Sequence, residues 1–376
     1  MAFYSSQFGM GYEGNQNQAI SKLEKRAFRR RRNFSMVKKN FGLKGIALIS
    51  CLMLVLATGC GQNSKAAADT TKNSEATKIV APQKVKIGYS QLRISLPIFV
   101  AAEKGIFKNN GLDVELEMFD TAQPLMDALC GGKIDVAGYT AFPITMSGQL
   151  RSKTDLYYST AIMEDDKHPL SMLMVKKDSS ISSIKDLKGK RIGILPTLAY
   201  KAWLGVILKE NGISVDDVTI QNVAPAMTTS ALESGTVDAM FTIDPAVTTT
   251  IQKGIGKLLY EGAIVPKYMG SPFPFGSFNM TKAFVDKNPD TAKKIVKSLD
   301  EAIDFISANQ QEAKKMMANY LPDAQKPFVA SFPDASFLKS TEFSAEALMK
   351  VADLYKNQGI INGPIDLSKL VYTYTP

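Results

Sequence analysis

The sequence is poor in the side chains that most often perform catalysis or bind metal ions. Among its 376 residues, His168 is the only histidine, and the three cysteines are Cys51, Cys60 and Cys130. A Cys/His metal site or a histidine-based catalytic triad therefore has almost no material from which to be built. We predict that the protein binds no metal and no cofactor.

The apolar run near the start of the sequence is too short to span a membrane. Residues 46–57 cover twelve positions, whereas a spanning helix needs about 20. Lys38, Lys39 and Lys44 precede this run, and a positive flank followed by a short apolar stretch is typical of an export signal. A buried core helix is the alternative interpretation.

Residues 57–60, Ala-Thr-Gly-Cys, resemble a bacterial lipobox, the site where an export signal is cut before a cysteine that receives a lipid. The usual motif prefers leucine three residues before the cysteine, and here Ala57 occupies that position. We predict that residues 1–59 are a leader and signal peptide, and that Cys60 anchors the exported protein to the membrane. A free thiol at Cys60 is the alternative.

Basic residues are concentrated in the predicted leader. Arginines occupy positions 29–32, and such a basic run suggests nucleic-acid binding or a targeting signal. Alternatively, translation starts at Met36 and the run is not translated. Residues 1–59 hold ten Lys and Arg but two Asp and Glu, so the remainder holds 35 basic and 34 acidic residues, a net charge of +1 instead of +9. We therefore expect no nucleic-acid partner. Removal of Cys51 and lipidation of Cys60 would leave Cys130 alone, so no intramolecular disulfide could form.

Order is predicted to begin only after residue 83. Residues 60–83 are rich in Ala, Thr, Ser, Asn and Lys without apolar periodicity, which predicts a disordered tether. In the following KVKIGYS, apolar side chains alternate at Val85, Ile87 and Tyr89, which indicates a strand.

Two parts of the sequence, about a hundred residues apart, resemble each other. ALCGGKIDVAGYT at residues 128–140 corresponds to ALESGTVDAMFTI at residues 231–243, and KIGYS corresponds to RIGIL. Each copy predicts a β-α-β-α-β unit, so we expect two α/β lobes, each with a mostly parallel sheet. After residue 288, a helix is predicted from an apolar stripe at Ala292, Ile295, Leu299, Ile303 and Ile306.

The predicted ends of the strands carry candidate ligand-binding residues. Open α/β sheets bind ligands beyond the carboxyl ends of their strands, so the cleft between two lobes is the expected site. A plainer interpretation exists for several candidates, because Arg93 could lie exposed in a solvated turn, and Thr197 and Asp244 could merely cap helices. The candidates are Gln91, Arg93, Ser95, Tyr139, Thr140, Thr197, Tyr200 and Asp244.

LPIFVAAEKGIFKNNGLDVEL, DLKGKRIGI and ALESGTVDAMFTIDPAV closely resemble segments of the solute-binding lipoproteins of ABC importers, in the branch for nitrate, sulfonates, taurine and thiamine-precursor pyrimidines. The resemblance spans roughly residues 84–360. It implies an α/β, type II periplasmic-binding-protein fold, in which two Rossmann-like lobes enclose a ligand cleft. We expect crossovers near residues 170–176 and 274–281, a first lobe of residues 84–172 and 277–376, and a second lobe of residues 173–276.

In that family the function is binding without chemistry, so the resemblance implies a non-enzymatic monomer that captures a small solute outside the cytoplasm. The closed form would dock on an ABC permease and its ATPase. An organosulfonate, taurine or nitrate-like solute is the first expectation. A thiamine-precursor pyrimidine is the alternative, because Pro196 has no N–H for an anion and Asp244 disfavours a bare anion. An enzyme on the same fold is a weaker competitor, and a sensor partner instead of an importer stays open.

Overall fold

The computed structural model describes residues 82–375. The predictions for the leader, the Met36 start, the lipobox and nearly all of the tether concern residues 1–81 and lie outside the described residues. The strands of the described part are β1 (Gln83–Tyr89), β2 (Leu112–Met118), β3 (Val136–Ala141), β4 (Leu156–Glu164), β5 (Ser171–Lys176), β6 (Arg191–Ile194), β7 (Thr219–Asn222), β8 (Ala239–Ile243), β9 (Gly256–Leu258), β10 (Phe273–Thr281) and β11 (Ser336–Leu338).

The α-helices alternate with these strands in the first two thirds of the described chain and dominate the last third. They are α1 (Leu96–Glu103), α2 (Ile106–Asn109), α3 (Ala122–Cys130), α4 (Phe142–Ser152), α5 (Leu198–Glu210), α6 (Thr228–Glu233), α7 (Ala246–Gln252), α8 (Ile264–Met269), α9 (Lys282–Lys287), α10 (Pro289–Ala308), α11 (Gln310–Met317) and α12 (Ala345–Asn357). A 3-10 helix at Arg93–Ser95 precedes α1.

The strands form two sheets. The first has the order β11-β4-β10-β3-β1-β2, and the second has the order β7-β6-β8-β5-β9. In the first sheet β1 pairs in parallel with both β2 and β3, and in the second β6 pairs in parallel with both β7 and β8. We call the parts of the chain around these sheets the first lobe and the second lobe.

The internal repeat is confirmed by this topology. In each lobe the first strand of the repeat lies between the second and the third, and an antiparallel strand follows the third: β10 beside β3, and β5 beside β8. The expectation of mostly parallel sheets is wrong. The strands that carry the chain between the lobes, together with β4, β9 and β11, run antiparallel to their neighbours.

The core of the first lobe is formed by buried strands and by a helix with one apolar face. Every residue of β3 is buried, and a Cβ on Gly138 would lie 2.7 Å from Ile98 Cδ1 and 2.8 Å from the Gly88 carbonyl oxygen, so only glycine allows this close packing. Helix α10 packs on α1. Its predicted apolar stripe is confirmed, since the five residues named for it are all buried.

Two connections join the lobes. Residues 165–170 lead from β4 in the first sheet to β5 in the second, and residues 259–272, which include α8, lead from β9 back to β10. Both predicted crossover segments are strands, one in each sheet. The exact lobe boundaries stay a prediction. Within residues 82–375, no helix is both long and apolar enough to cross a bilayer.

Candidate functional site

A small cavity lies between the two lobes. Its volume is about 30 Å³, which leaves room for a water molecule or two but not for a drug-sized solute, whose pockets measure about 300 Å³ or more. Phe275 of β10 contributes to its wall. The first lobe contributes Leu92, Ile94, Asp120, Thr121, Ala122, Ala141 and Ile144, and the second contributes Leu195, Pro196, Thr197, Tyr200, Pro225 and Ile243.

A wider groove continues from this cavity. It measures about 230 Å³ and shares Leu92, Asp120 and Pro225 with the cavity. The remaining wall comes from Gln91 and Phe119 on one side and from Ala224 and Ala226 on the other. Among the described residues that line the cavity and the groove, there is no Lys, Arg or His. The lining of the cavity and the groove is therefore mainly apolar, and Asp120 is the one acidic or basic residue among the described residues that form it.

Three of the eight candidate residues line this space. Gln91 lines the groove and donates from Nε2 to the Tyr320 carbonyl oxygen at 2.7 Å. Thr197 and Tyr200 line the cavity. The helix-cap interpretation of Thr197 is confirmed, because its Oγ1 accepts a hydrogen bond from the Tyr200 N–H at 3.3 Å at the start of α5.

Three further candidates are buried inside the first lobe. The Ser95 hydroxyl donates to the Ser90 carbonyl oxygen at 2.8 Å, the Tyr139 hydroxyl lies 2.6 Å from Thr160 Oγ1, and Thr140 Oγ1 accepts from Asn279 at 3.1 Å. None of the three lines the cavity. The side chain of β3 that reaches it is Ala141, the next residue along the strand.

Arg93 is fully buried, so the interpretation of an exposed turn is wrong. Its Nη1 donates to the carbonyl oxygens of Pro333 at 2.9 Å and Asp334 at 2.7 Å, and its Nη2 donates to the Pro169 carbonyl oxygen. Burial lowers the pKa of this guanidinium, while the nearby carboxylates of Asp244, Glu164 and Asp334 oppose that change. With both of its Nη groups bonded to carbonyl oxygens, Arg93 organises the interior between the lobes.

Two buried carboxyl groups accompany Arg93. The backbone N–H of Arg93 donates to the backbone carbonyl oxygen of Asp244 at 3.4 Å, and this hydrogen bond links the two lobes. Asp244 Oδ1 accepts from the Thr248 N–H at 2.8 Å in the first turn of α7, but Asp244 is not the N-cap, because α7 begins at Ala246 and its N-cap is Pro245. Burial raises the pKa of Glu164 to about 7, although hydrogen bonds from Ser171 and the charge of Arg93 act in the opposite direction.

Several polar atoms in this interior have no partner. Within the described part of the chain, Arg93 Nε, Asp244 Oδ2 and the Tyr200 hydroxyl accept or donate no hydrogen bond, although each is buried. Burial raises the pKa of Tyr200, and so do the nearby carboxylates of Glu164 and Asp244. On the second lobe, the hydroxyls of Thr228, Thr242 and Thr249 share this lack of a partner. Buried polar atoms are nearly always paired, so this set marks a place for water or a solute.

Sequence reasoning missed Glu164, Asp120 and the apolar walls at Leu92, Ile94 and Phe275. Glu164 ends β4, a strand that the repeat did not predict. The apolar and aromatic run LYYSTAIM before EDDKHP was the available signal. The apolar walls carry no distinctive sequence signal.

His168 and Cys130 lie apart from the cavity. His168 Nδ1 lies 2.9 Å from Asp165 Oδ1 in the connection between β4 and β5. Cys130 ends α3 as a half-buried free thiol. Over residues 82–375, no group of three or more His, Cys, Asp and Glu side chains is placed to share a metal ion.

Comparisons with known proteins agree with this architecture. The model of the NMT1-like family matches residues 80–321. A Bacillus subtilis protein, provisionally named as an aliphatic sulfonates-binding protein, is 27% identical over 299 residues, which is 75% of this chain and 83% of the relative. A Haemophilus influenzae protein, provisionally named as a thiamine biosynthesis protein, is 26% identical over 286 residues, which is 70% of this chain and 83% of the relative.

Solved structures share the fold. The alkanesulfonate-binding protein SsuA of Xanthomonas axonopodis pv. citri, bound to MOPS, has a TM-score of 0.61 at 21% identity, covering 78% of this chain and 99% of its own. The desulfurization enzyme DSZB has a TM-score of 0.57 at 12% identity, covering 77% of this chain and 96% of its own. At these identities the likeness shows the type II periplasmic-binding-protein fold alone.

Proposed function

Because this chain belongs to the NMT1-like family, we propose that it is the solute-binding component of an ABC importer. The observation that carries the proposal is the cavity walled by both lobes, with two connections at which the lobes can turn. The cavity is far smaller than a ligand pocket, so a solute enters an open form and the lobes close on it. The closed form then docks on the permease and its ATPase.

The lining residues favour a solute with a flat, apolar body and N–H donors over a bare anion. Neither the cavity nor the groove is lined by a basic side chain of the described residues, and Asp120 would repel an anion. Asp244 Oδ2 and the Tyr200 hydroxyl have no partner within residues 82–375. Tyr200 lines the cavity, whereas Asp244 is buried behind its lining, so Asp244 could pair with a solute only after the lobes open. An aminopyrimidine, as in a thiamine precursor, has this combination of an apolar ring and N–H donors.

An organosulfonate or taurine is the second candidate. The Bacillus subtilis relative is provisionally named for aliphatic sulfonates, and a taurine-binding periplasmic protein of Escherichia coli is 27% identical over 210 residues. A sulfonate could bind only if Arg93 exchanged carbonyl oxygens for the anion on opening, because its Nη donors are occupied in this structure.

We propose that the protein acts outside the cytoplasm and is held at the membrane by a lipid on Cys60. The lipobox-like residues 57–60 and the names of periplasmic relatives support this proposal. Replacement of Cys60 by serine should abolish lipid labelling and release the protein from membranes. Continued labelling of that variant would disprove the anchor.

The function is tested by adding solutes to the purified protein and measuring its melting temperature. A ligand that binds only the folded state stabilises it by RT ln(1 + [L]/Kd), so this temperature rises roughly with the logarithm of the ligand concentration over Kd. We expect an increase with an aminopyrimidine and a smaller one, or none, with taurine, alkanesulfonates and nitrate. A protein that no small solute stabilises would contradict the receptor function, and one stabilised by sulfonates alone would establish the second candidate.

A further inference from the structure

The first connection between the lobes is held by a carboxyl group. Glu164 is the last residue of β4 in the first sheet, and Ser171 is the first residue of β5 in the second. Glu164 Oε1 accepts from the Leu170 N–H at 2.8 Å and from the Ser171 N–H at 2.5 Å. One side chain therefore joins both ends of the connection formed by residues 165–170.

The geometry at Ser171 can accommodate a protonated carboxyl group, although the hydrogen bonds from Ser171 and Leu170 lower the pKa of Glu164 and only burial raises it. Its single hydroxyl oxygen lies 2.6 Å from Glu164 Oε1 and 2.8 Å from Oε2. If Glu164 is ionised, one hydroxyl hydrogen is shared between two acceptors. If Oε2 carries a proton, that proton is donated to Ser171 Oγ, the hydroxyl hydrogen is donated to Oε1, and each contact has its own hydrogen.

The charges around Glu164 favour the same state. Arg93 supplies one buried positive charge, and Asp244 supplies a buried carboxylate that already balances it. Ionisation of Glu164 would add a second buried negative charge. The other titratable groups that face this region are the phenols of Tyr200 and Tyr355, the Asp334 carboxylate, which pairs with Lys314 at 2.7 Å, and the His168–Asp165 pair within the connection.

We propose that Glu164 is a proton-operated clamp of the hinge: in its neutral form it holds the lobes in the closed arrangement seen here, and its ionisation releases them. Burial raises the pKa of Glu164 to about 7 in the closed form, whereas a solvated glutamate titrates near 4.3. Closure is therefore most favourable below the ordinary glutamate pKa. It weakens as the pH rises to about 7, by at most about tenfold in the closed-to-open ratio for each pH unit, and stays constant above.

Trp203, the only tryptophan of the chain, reports on the hinge without any solute. It is fully buried on α5 of the second lobe, and its ring lies 5.8 Å from that of Phe273 and 5.1 Å from that of Phe275 on β10. Opening exposes it and moves its fluorescence to longer wavelength. No ligand is added, so the result of this experiment does not depend on whether the protein binds a solute. The clamp serves transport only if the proposed receptor function holds.

The experiment follows Trp203 emission between pH 5 and 9 in the unmodified protein and in two variants, with circular dichroism to show that the fold is retained. Glu164→Gln keeps the shape of the neutral carboxyl group and should abolish the change in Trp203 emission that the unmodified protein shows as the pH rises to about 7. Asp300→Asn is the matched control, because Asp300 is also buried and bonded to a serine, Ser340, at 2.6 and 2.7 Å, but inside the first lobe. It should keep the transition.

Absence of a transition in the unmodified protein, or its persistence in Glu164→Gln, would overturn the proposal. If Glu164→Gln does not fold, infrared spectra of Asp300→Asn decide the question. The band of a protonated carboxyl group should be present at pH 6 and lost by pH 8.5. Absence of that band at pH 6 would overturn the proposal equally.

Discussion

Polar groups buried inside the first lobe differ from those buried between the lobes. Inside the first lobe, the Tyr139 hydroxyl pairs with Thr160, and Thr140 pairs with both Thr145 and Asn279. Between the lobes, the Tyr200 hydroxyl and Asp244 Oδ2 are just as buried but have no partner within residues 82–375.

This difference distinguishes polar groups that stabilise the fold from polar groups that are available to bind a solute. A buried polar group without a partner costs about 1–3 kcal/mol, so an interior that serves stability tends to pair its polar groups, as Tyr139 and Thr140 are paired in the first lobe. The groups between the lobes are paired only when water or a solute supplies the missing hydrogen bonds. Of the eight residues predicted from the sequence, those with internal partners therefore stabilise a lobe, and those without are the better candidates for solute contact.

The largest expected effect is on stability and comes from Arg93→Ala. This change leaves the Asp244 carboxylate buried without its positive partner, and such a loss costs about 3–5 kcal/mol. Chemical denaturation should show a free energy of unfolding reduced by that amount. Arg191→Ala is the control, because it removes a bidentate pair with Asp238 at the surface and should cost far less. Equal losses in the two variants would contradict the organising role of Arg93.

Asp244→Asn should weaken solute binding while leaving the fold intact. Asparagine keeps an oxygen for the Thr248 N–H, but it loses the charge that strengthens a hydrogen bond from a solute N–H. We expect calorimetry to show about tenfold weaker binding of an aminopyrimidine, equal to about 1.4 kcal/mol. Unchanged affinity would remove Asp244 from the site, and a gain in sulfonate binding would favour the second candidate.

Tyr139→Phe should show the reverse pattern, with a loss of stability and no loss of solute affinity. It removes the hydroxyl 2.6 Å from Thr160 Oγ1, so it should lower the free energy of unfolding by about 1 kcal/mol. Solute affinity should not change, because Tyr139 does not line the cavity. Denaturation and calorimetry on the same preparation measure both quantities. Loss of affinity without loss of stability would place Tyr139 in the site after all.

The fold was predictable from the sequence to a greater degree than the site. The repeat of residues 128–140 at residues 231–243 predicted two similar units, because a buried strand after a glycine-ended helix leaves a local pattern. The antiparallel β4 was missed, and with it Glu164, because its pairing with β10 joins residues more than a hundred positions apart. Residue type identified Tyr200 and Asp244 as candidates. Only the packing distinguishes them from Tyr139 and Thr140, which lie near the carboxyl end of β3.

The most direct measurement is the calorimetric affinity of Tyr200→Phe for an aminopyrimidine, beside Tyr139→Phe. Both variants lose one buried phenolic hydroxyl, one between the lobes and one inside the first lobe. If the unpaired groups between the lobes bind the solute, Tyr200→Phe binds about tenfold more weakly, the equivalent of about one hydrogen bond. Tyr139→Phe then binds like the unmodified protein. Unchanged affinity in Tyr200→Phe, or an equal loss in both, would contradict the account.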